Sequence, residues 1–104
     1  LEGQYTYLAG VSDEVAERIR TLDAVAPGSM QEFLDLATLK ESRERGLSAD
    51  DMLLELSRDY THIIESMREN NGDVPENDHG THTLYEDLIT NFEKTHWMIK
   101  SHLA

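Results

Sequence analysis

Asp13 and Glu17 stand four residues apart in Ser12-Asp13-Glu14-Val15-Ala16-Glu17-Arg18, a stretch that reads as helix. Four residues is about one helical turn, so both carboxylates leave the same face, close enough to share one cation. Carboxylate oxygens are hard donors suited to Mg2+, Ca2+, Mn2+ or Fe2+, and two from one turn leave positions open for other ligands and for an oxidant. The same spacing occurs on plain solvated helix faces, so the pair alone does not separate a metal site from a polar surface. Asp78, His79, His82 and Glu86 gather at the start of the last helical stretch. Repeated around a symmetry axis they would form a cation-binding ring; in a lone chain they are a polar helix start. Glu93-Lys94-Thr95-His96 has the Glu-x-x-His spacing that di-iron bundles carry on two helices. A second copy would be Asp59-Tyr60-Thr61-His62, which the helical wheel turns away from the core, and a single His96 on an apolar face reads first as a hydrogen-bonded core histidine.

The elements that must hold these groups follow from apolar spacing. From Leu1 to about Leu22, Leu1, Tyr5, Leu8, Val15, Ile19 and Leu22 form one stripe of an amphipathic helix, and its centre lies nearly opposite Asp13 and Glu17. Beside the carboxylates are Gly3, Thr6, Ala9 and Gly10. Glycine inside a helix costs roughly 1 kcal/mol against alanine, so this face is either an approach surface for another helix or a solvated side made of poor helix formers. Ala24 to Gly28 break the helix, and Ser29 with Glu32 has capping-box spacing ahead of a short helix carrying Met30, Phe33, Leu34 and Leu36. Thr38 to Gly46, with Lys40, Glu41, Arg43, Glu44 and Arg45, reads as a solvated connector or a frayed helix end.

Ser48, followed by Asp50 and Asp51, opens a long helix with the stripe Leu53, Leu56, Tyr60, Ile63 and Met67, ending near Asn70-Asn71-Gly72. After a turn-rich loop the last helix starts between Asp78 and Thr83 and turns Leu84 or Tyr85, Leu88, Phe92, His96, Ile99 and Leu103 inward. The sum is three long helices and one short one. Bundles usually close with four long helices, so the fourth is expected upstream of Leu1 or from a partner subunit.

A chain of 104 residues fits one domain with one small core. With 21 Asp and Glu against 9 Lys and Arg, its formal charge of −12 repels phosphate backbones and attracts cations, which disfavours nucleic-acid binding through the folded body. There is no cysteine, hence no disulfide or thiolate metal site, and the usage fits a reducing cytoplasm. No apolar run approaches the ~20 residues of a membrane span. Glycine-rich phosphate loops and nucleophile motifs are absent from the sequence.

Asp13-Glu14-Val15-Ala16-Glu17-Arg18-Ile19, the turn Ala26-Pro27-Gly28-Ser29 with its short helix, and the closing run from Glu93-Lys94-Thr95-His96-Trp97-Met98 to Leu103 together resemble the Dps family, the DNA-protection-during-starvation miniferritins. The likeness covers essentially the whole chain in order. It implies an all-α, ferritin-like four-helix bundle with a short helix between the second and third long helices. The chain is then one ferritin-like domain over 1–104, incomplete at its N-terminus, assembled as a homo-oligomeric shell of twelve subunits. The resemblance further implies ferroxidase sites at two-fold interfaces, where Asp13 and Glu17 bind Fe2+ with two histidines of the partner subunit. Those histidines would fall before Leu1; none of His62, His79, His82, His96 or His102 matches their positions.

By the same likeness, Fe2+ is oxidised chiefly by hydrogen peroxide, and Fe3+ mineralises on an acidic inner wall where Glu2 is a nucleation residue. The three-fold pores, often lined by aspartate early in the last helix in the family, would here carry His79, His82 and Thr83, making iron entry sensitive to pH. No lysine-rich stretch like the tails by which family members bind DNA occurs within these 104 residues. The competing expectations are a non-catalytic helical assembly protein and a DNA-protecting shell, the latter opposed by the charge.

Overall fold

The computed structural model describes residues 2–42 and 44–103, with Glu2 described as backbone only, so the expectations placed on Leu1 and Arg43 and on the Glu2 side chain lie outside the described residues. Four helices follow one another: α1 (Glu2–Thr21), α2 (Met30–Leu36), α3 (Ala49–Gly72) and α4 (His79–Leu103). Among the described residues there is no strand, and no helix is long and apolar enough to cross a membrane. The all-α class and the order long, short, long, long match the expectation from spacing. Two compact units, Leu1–Lys40 and Glu41–Ala104, divide the chain.

In the first unit, α1 ends in a Schellman turn. Ala24 N–H donates to Ile19 O at 3.1 Å and Asp23 N–H to Arg20 O at 3.0 Å, which brings Asp23 to φ +65°. The turn supplies partners to carbonyls that the helix end leaves without them. The stripe expected to face inward needs correction: Tyr5 is 80% exposed, and Leu8 and Leu22 are exposed as well. The half-buried residues are Gln4, Tyr7, Val11, Val15, Ala16, Arg18 and Ile19, a face that shares Val15 and Ile19 with the apolar stripe but is centred roughly 45° away from it at 100° per residue. Counting apolar positions finds where a helix is greasy; the neighbours available in one chain decide which side is covered.

The capping box forms at α2. Ser29 Oγ accepts from Glu32 N–H at 3.2 Å and donates to Glu32 Oε1 at 2.9 Å. That hydroxyl, then the Gly28 N–H, hold the Glu32 carboxyl below its ordinary pKa. No α2 side chain is buried, and Met30, Phe33, Leu34 and Leu36 are all exposed.

The second unit is a helical hairpin. Ser48 Oγ accepts from Asp51 N–H at 3.1 Å and starts α3. As residue number rises along α3 through Ser57, Tyr60 and Asn71, partners on α4 fall through His96, Phe92 and His82, so the two helices run antiparallel. Their seam is Tyr60, Ile64, Leu88 and Phe92, each under a tenth exposed, with the Tyr60 and Phe92 rings tilted at 57° and 5.4 Å between centroids. Ile64, the most buried of them, was not in the stripe read from spacing, and Thr81 and Thr95 are buried beside the apolar residues. The described residues of the connector, 37–42 and 44–48, are non-helical, so of the two readings it is a connector rather than a frayed helix end.

Candidate metal centre

Asp13 and Glu17 lie in the middle and last third of α1, both exposed and away from its half-buried face. Around them two hydroxyls bond back one turn without interrupting the helix: Ser12 Oγ donates to Leu8 O at 3.1 Å and Thr21 Oγ1 to Glu17 O at 2.8 Å. A Cβ placed on Gly3 or Gly10 would meet nothing within 4 Å, so the small-residue side of α1 is open. Two carboxylate ligands one turn apart can hold a divalent cation by one edge. Among the described residues no three His, Asp or Glu side chains converge to complete a site.

The second candidate group is divided by the fold. Asp78 caps α4: Oδ1 accepts from Thr81 N–H at 3.1 Å and Oδ2 from the Thr81 hydroxyl at 2.7 Å. Both ring nitrogens of His82 are engaged, Nδ1 with Asn71 Oδ1 at 2.6 Å and Nε2 with Pro75 O at 3.0 Å. His79 and Glu86 are exposed. Thus His82 could take a metal only by giving up one of its bonds and Asp78 is already engaged in the cap of α4, whereas His79 and Glu86 are exposed. Sequence spacing held no sign of this division, because the Asn71 and Pro75 partners come from the end of α3 and the loop.

The Glu-x-x-His pattern on α4 is spent on α3. Glu93 forms an ion pair with Arg68. His96 Nε2 lies 3.0 Å from Ser57 Oγ and 3.4 Å from Thr61 Oγ1. Thr61, Arg68, Glu93 and His96 line a cavity of about 250 Å³ together with Ile64 and Lys100. Burial, and then the Lys100 charge, hold His96 below the ordinary histidine pKa, which favours the neutral ring. His96 is therefore a satisfied interhelical histidine. Asp59 is half-buried and His62 exposed, so no second Glu-x-x-His site forms on α3.

Comparison with known proteins agrees with this architecture. The ferritin-like domain family matches residues 1–104. An uncharacterized low temperature-induced protein of Nostoc sp. is 37% identical over 103 residues, covering 96% of this chain and 57% of that relative. The DNA protection during starvation protein of Helicobacter pylori is 30% identical over 101 residues, covering 96% of this chain and 70% of that protein. The crystal structure of Dps from Staphylococcus aureus superposes with a TM-score of 0.90 at 30% identity, covering 99% of this chain and 69% of that one. The chain thus spans little more than half of the Nostoc relative's length. With a ferritin-like match along its whole length and Dps proteins alike in sequence and in structure, the chain belongs to the Dps family of ferritin-like proteins.

Proposed function

We propose that the chain is the ferroxidase subunit of a hollow iron-storage shell, one ferritin-like domain repeated as a dodecamer, in which Asp13 and Glu17 bind Fe2+ as substrate. The observation that carries this reading is the carboxylate pair on a side of α1 that its own chain leaves open, beside Gly3 and Gly10. A partner subunit across a two-fold axis would approach that side and complete the coordination with histidine nitrogens. Oxidation by hydrogen peroxide takes one electron from each Fe2+, and hard carboxylate oxygens bind the Fe3+ product more tightly than the ferrous ion, which adds driving force. Mineral then grows on an acidic inner wall, with Glu2 as a nucleation residue.

Cations would enter through pores at the start of α4. There His79 and Glu86 are the exposed members of the group, while Asp78 and His82 shape the pore wall through the cap and the loop. A cytoplasmic setting suits the cysteine-free composition. DNA protection, the role in the name of the Helicobacter relative, is opposed by the formal charge of −12.

The test is Fe3+ formation after mixing Fe2+-loaded protein with peroxide, comparing the wild type with Asp13→Asn plus Glu17→Gln, with assembly followed by native mass spectrometry. Loss of the pair is expected to slow oxidation roughly 100-fold or more while the oligomer persists. Unchanged kinetics would remove the two carboxylates from the site and leave a non-catalytic helical shell.

A further inference from the structure

Of the four asparagines in the chain, only Asn71 is followed by glycine. An Asn-Gly pair is chemically labile, because a residue without Cβ lets its backbone nitrogen reach the side-chain amide before it. In this fold the pair sits in the last turn of α3, where two features oppose that approach. The first is the backbone: Asp73 N–H donates to Asn70 O at 3.1 Å and Val74 N–H to Asn71 O at 3.3 Å, holding Asn71 in helical conformation. The second is His82, eleven residues on, whose Nδ1 is 2.6 Å from the Asn71 amide.

The His82 contact is a latch that does not depend on how the amide is turned. Pro75 O only accepts, so His82 Nε2–H donates to it at 3.0 Å. Nδ1 then either accepts from the Asn71 amide nitrogen or, in the doubly protonated ring, donates to its oxygen. In both cases the amide is tied to His82, and swinging it onto the Gly72 nitrogen requires that bond to break.

We infer that Asn71 is a spontaneous deamidation site whose rate is set by the His82 latch, so that conversion waits for the end of α3 to open and His82 to let go. In the open state the deprotonated Gly72 nitrogen attacks Asn71 Cγ, a C–N bond forms, and the side-chain nitrogen leaves as ammonia. The cyclic imide then takes up one water at either carbonyl and opens to aspartate or isoaspartate. No electrons are exchanged, and water is the only co-reactant. The aspartate product keeps the helical backbone and offers His82 a charged acceptor. The isoaspartate product routes the chain through an extra methylene, breaking helical geometry just before the loop that carries Pro75. This inference is independent of iron chemistry.

The experiment ages the purified protein at physiological temperature and mildly alkaline pH and maps amide-to-acid conversion peptide by peptide. Wild type is expected to convert at Asn71 well ahead of Asn70, Asn77 and Asn91, and more slowly when folded than in urea. His82→Ala, losing two hydrogen bonds, should convert about tenfold faster with helix content retained. Gly72→Ala, whose added Cβ meets nothing within 4 Å, should suppress conversion. Should His82→Ala lose helix content, His82→Phe keeps the ring bulk without the nitrogens and answers the same question. Equal rates in folded and urea-unfolded wild type, or a folded His82 variant that ages at the wild-type rate, would overturn the inference.

Discussion

Replacing Asp13 and Glu17 by Asn and Gln should move stability in opposite directions with and without a divalent cation. The two side chains are exposed, and among the described residues neither forms an ion pair, so their removal breaks no packing. What it removes is repulsion. Side chains one turn apart have Cβ atoms about 5–6 Å from each other. Coulomb's law gives about 0.7 kcal/mol for two like charges at that distance in water. Screening brings this near the ~0.2–0.5 kcal/mol measured for like-charged helical pairs. Without metal, the Asp13→Asn plus Glu17→Gln protein is therefore expected to be slightly more stable than wild type.

A cation bound by the pair reverses the order. At a hundred times its dissociation constant it stabilises the wild type by about 2.7 kcal/mol, provided it does not bind the unfolded chain. For a domain of this length that is a rise in Tm of roughly 10 °C or more, absent from the variant. Thermal melts at fixed protomer concentration, with and without Co2+ as a stand-in that air does not oxidise, read both effects. Equal cation-induced shifts in the two proteins, or a metal-free variant destabilised by more than about 1 kcal/mol, would refute the reasoning, since either result means that the pair does something other than share a cation.

Phe92→Ala, cutting a ring that is 5% exposed against Tyr60, should cost about 3–5 kcal/mol in urea unfolding, whereas Trp97→Ala at 62% exposure should stay within roughly 0.5 kcal/mol. Asp23→Gly should stabilise the protein by about 0.5–1 kcal/mol, because Asp23 holds φ +65° at the end of α1 where glycine pays no Cβ penalty; an unchanged or lower urea midpoint would contradict this. His96 has a folded pKa below its ordinary value of 6.5, so as pH falls the unfolded chain takes up its proton first. The His96 contribution to stability is then complete above 6.5 and is lost as pH falls through the lowered folded value. Urea midpoints measured on both sides of that pH should show a smaller acid loss in His96→Gln than in wild type.

Local chemistry written along the chain determined the helices and their ends. Ser29 with Glu32 and Ser48 with Asp51 cap where their spacing says, and α3 stops at Gly72, because capping hydrogen bonds span three residues and need no tertiary partner. That Asp13 and Glu17 share one exposed face of α1 was legible for the same reason: helical periodicity alone puts them there. Tertiary structure decided what local spacing is blind to. His82 met Asn71 and Pro75, and His96 met Ser57, only because α3 and α4 fold back antiparallel, so two histidines that matched ligand patterns became interhelical and loop bonds. Ile64 and Thr95 are buried for the same reason, while Tyr5, Leu8 and the apolar side chains of α2 stay exposed. An apolar residue is buried by what reaches it, and that is a property of the packed chain and its partners rather than of the residue's place in a helical repeat.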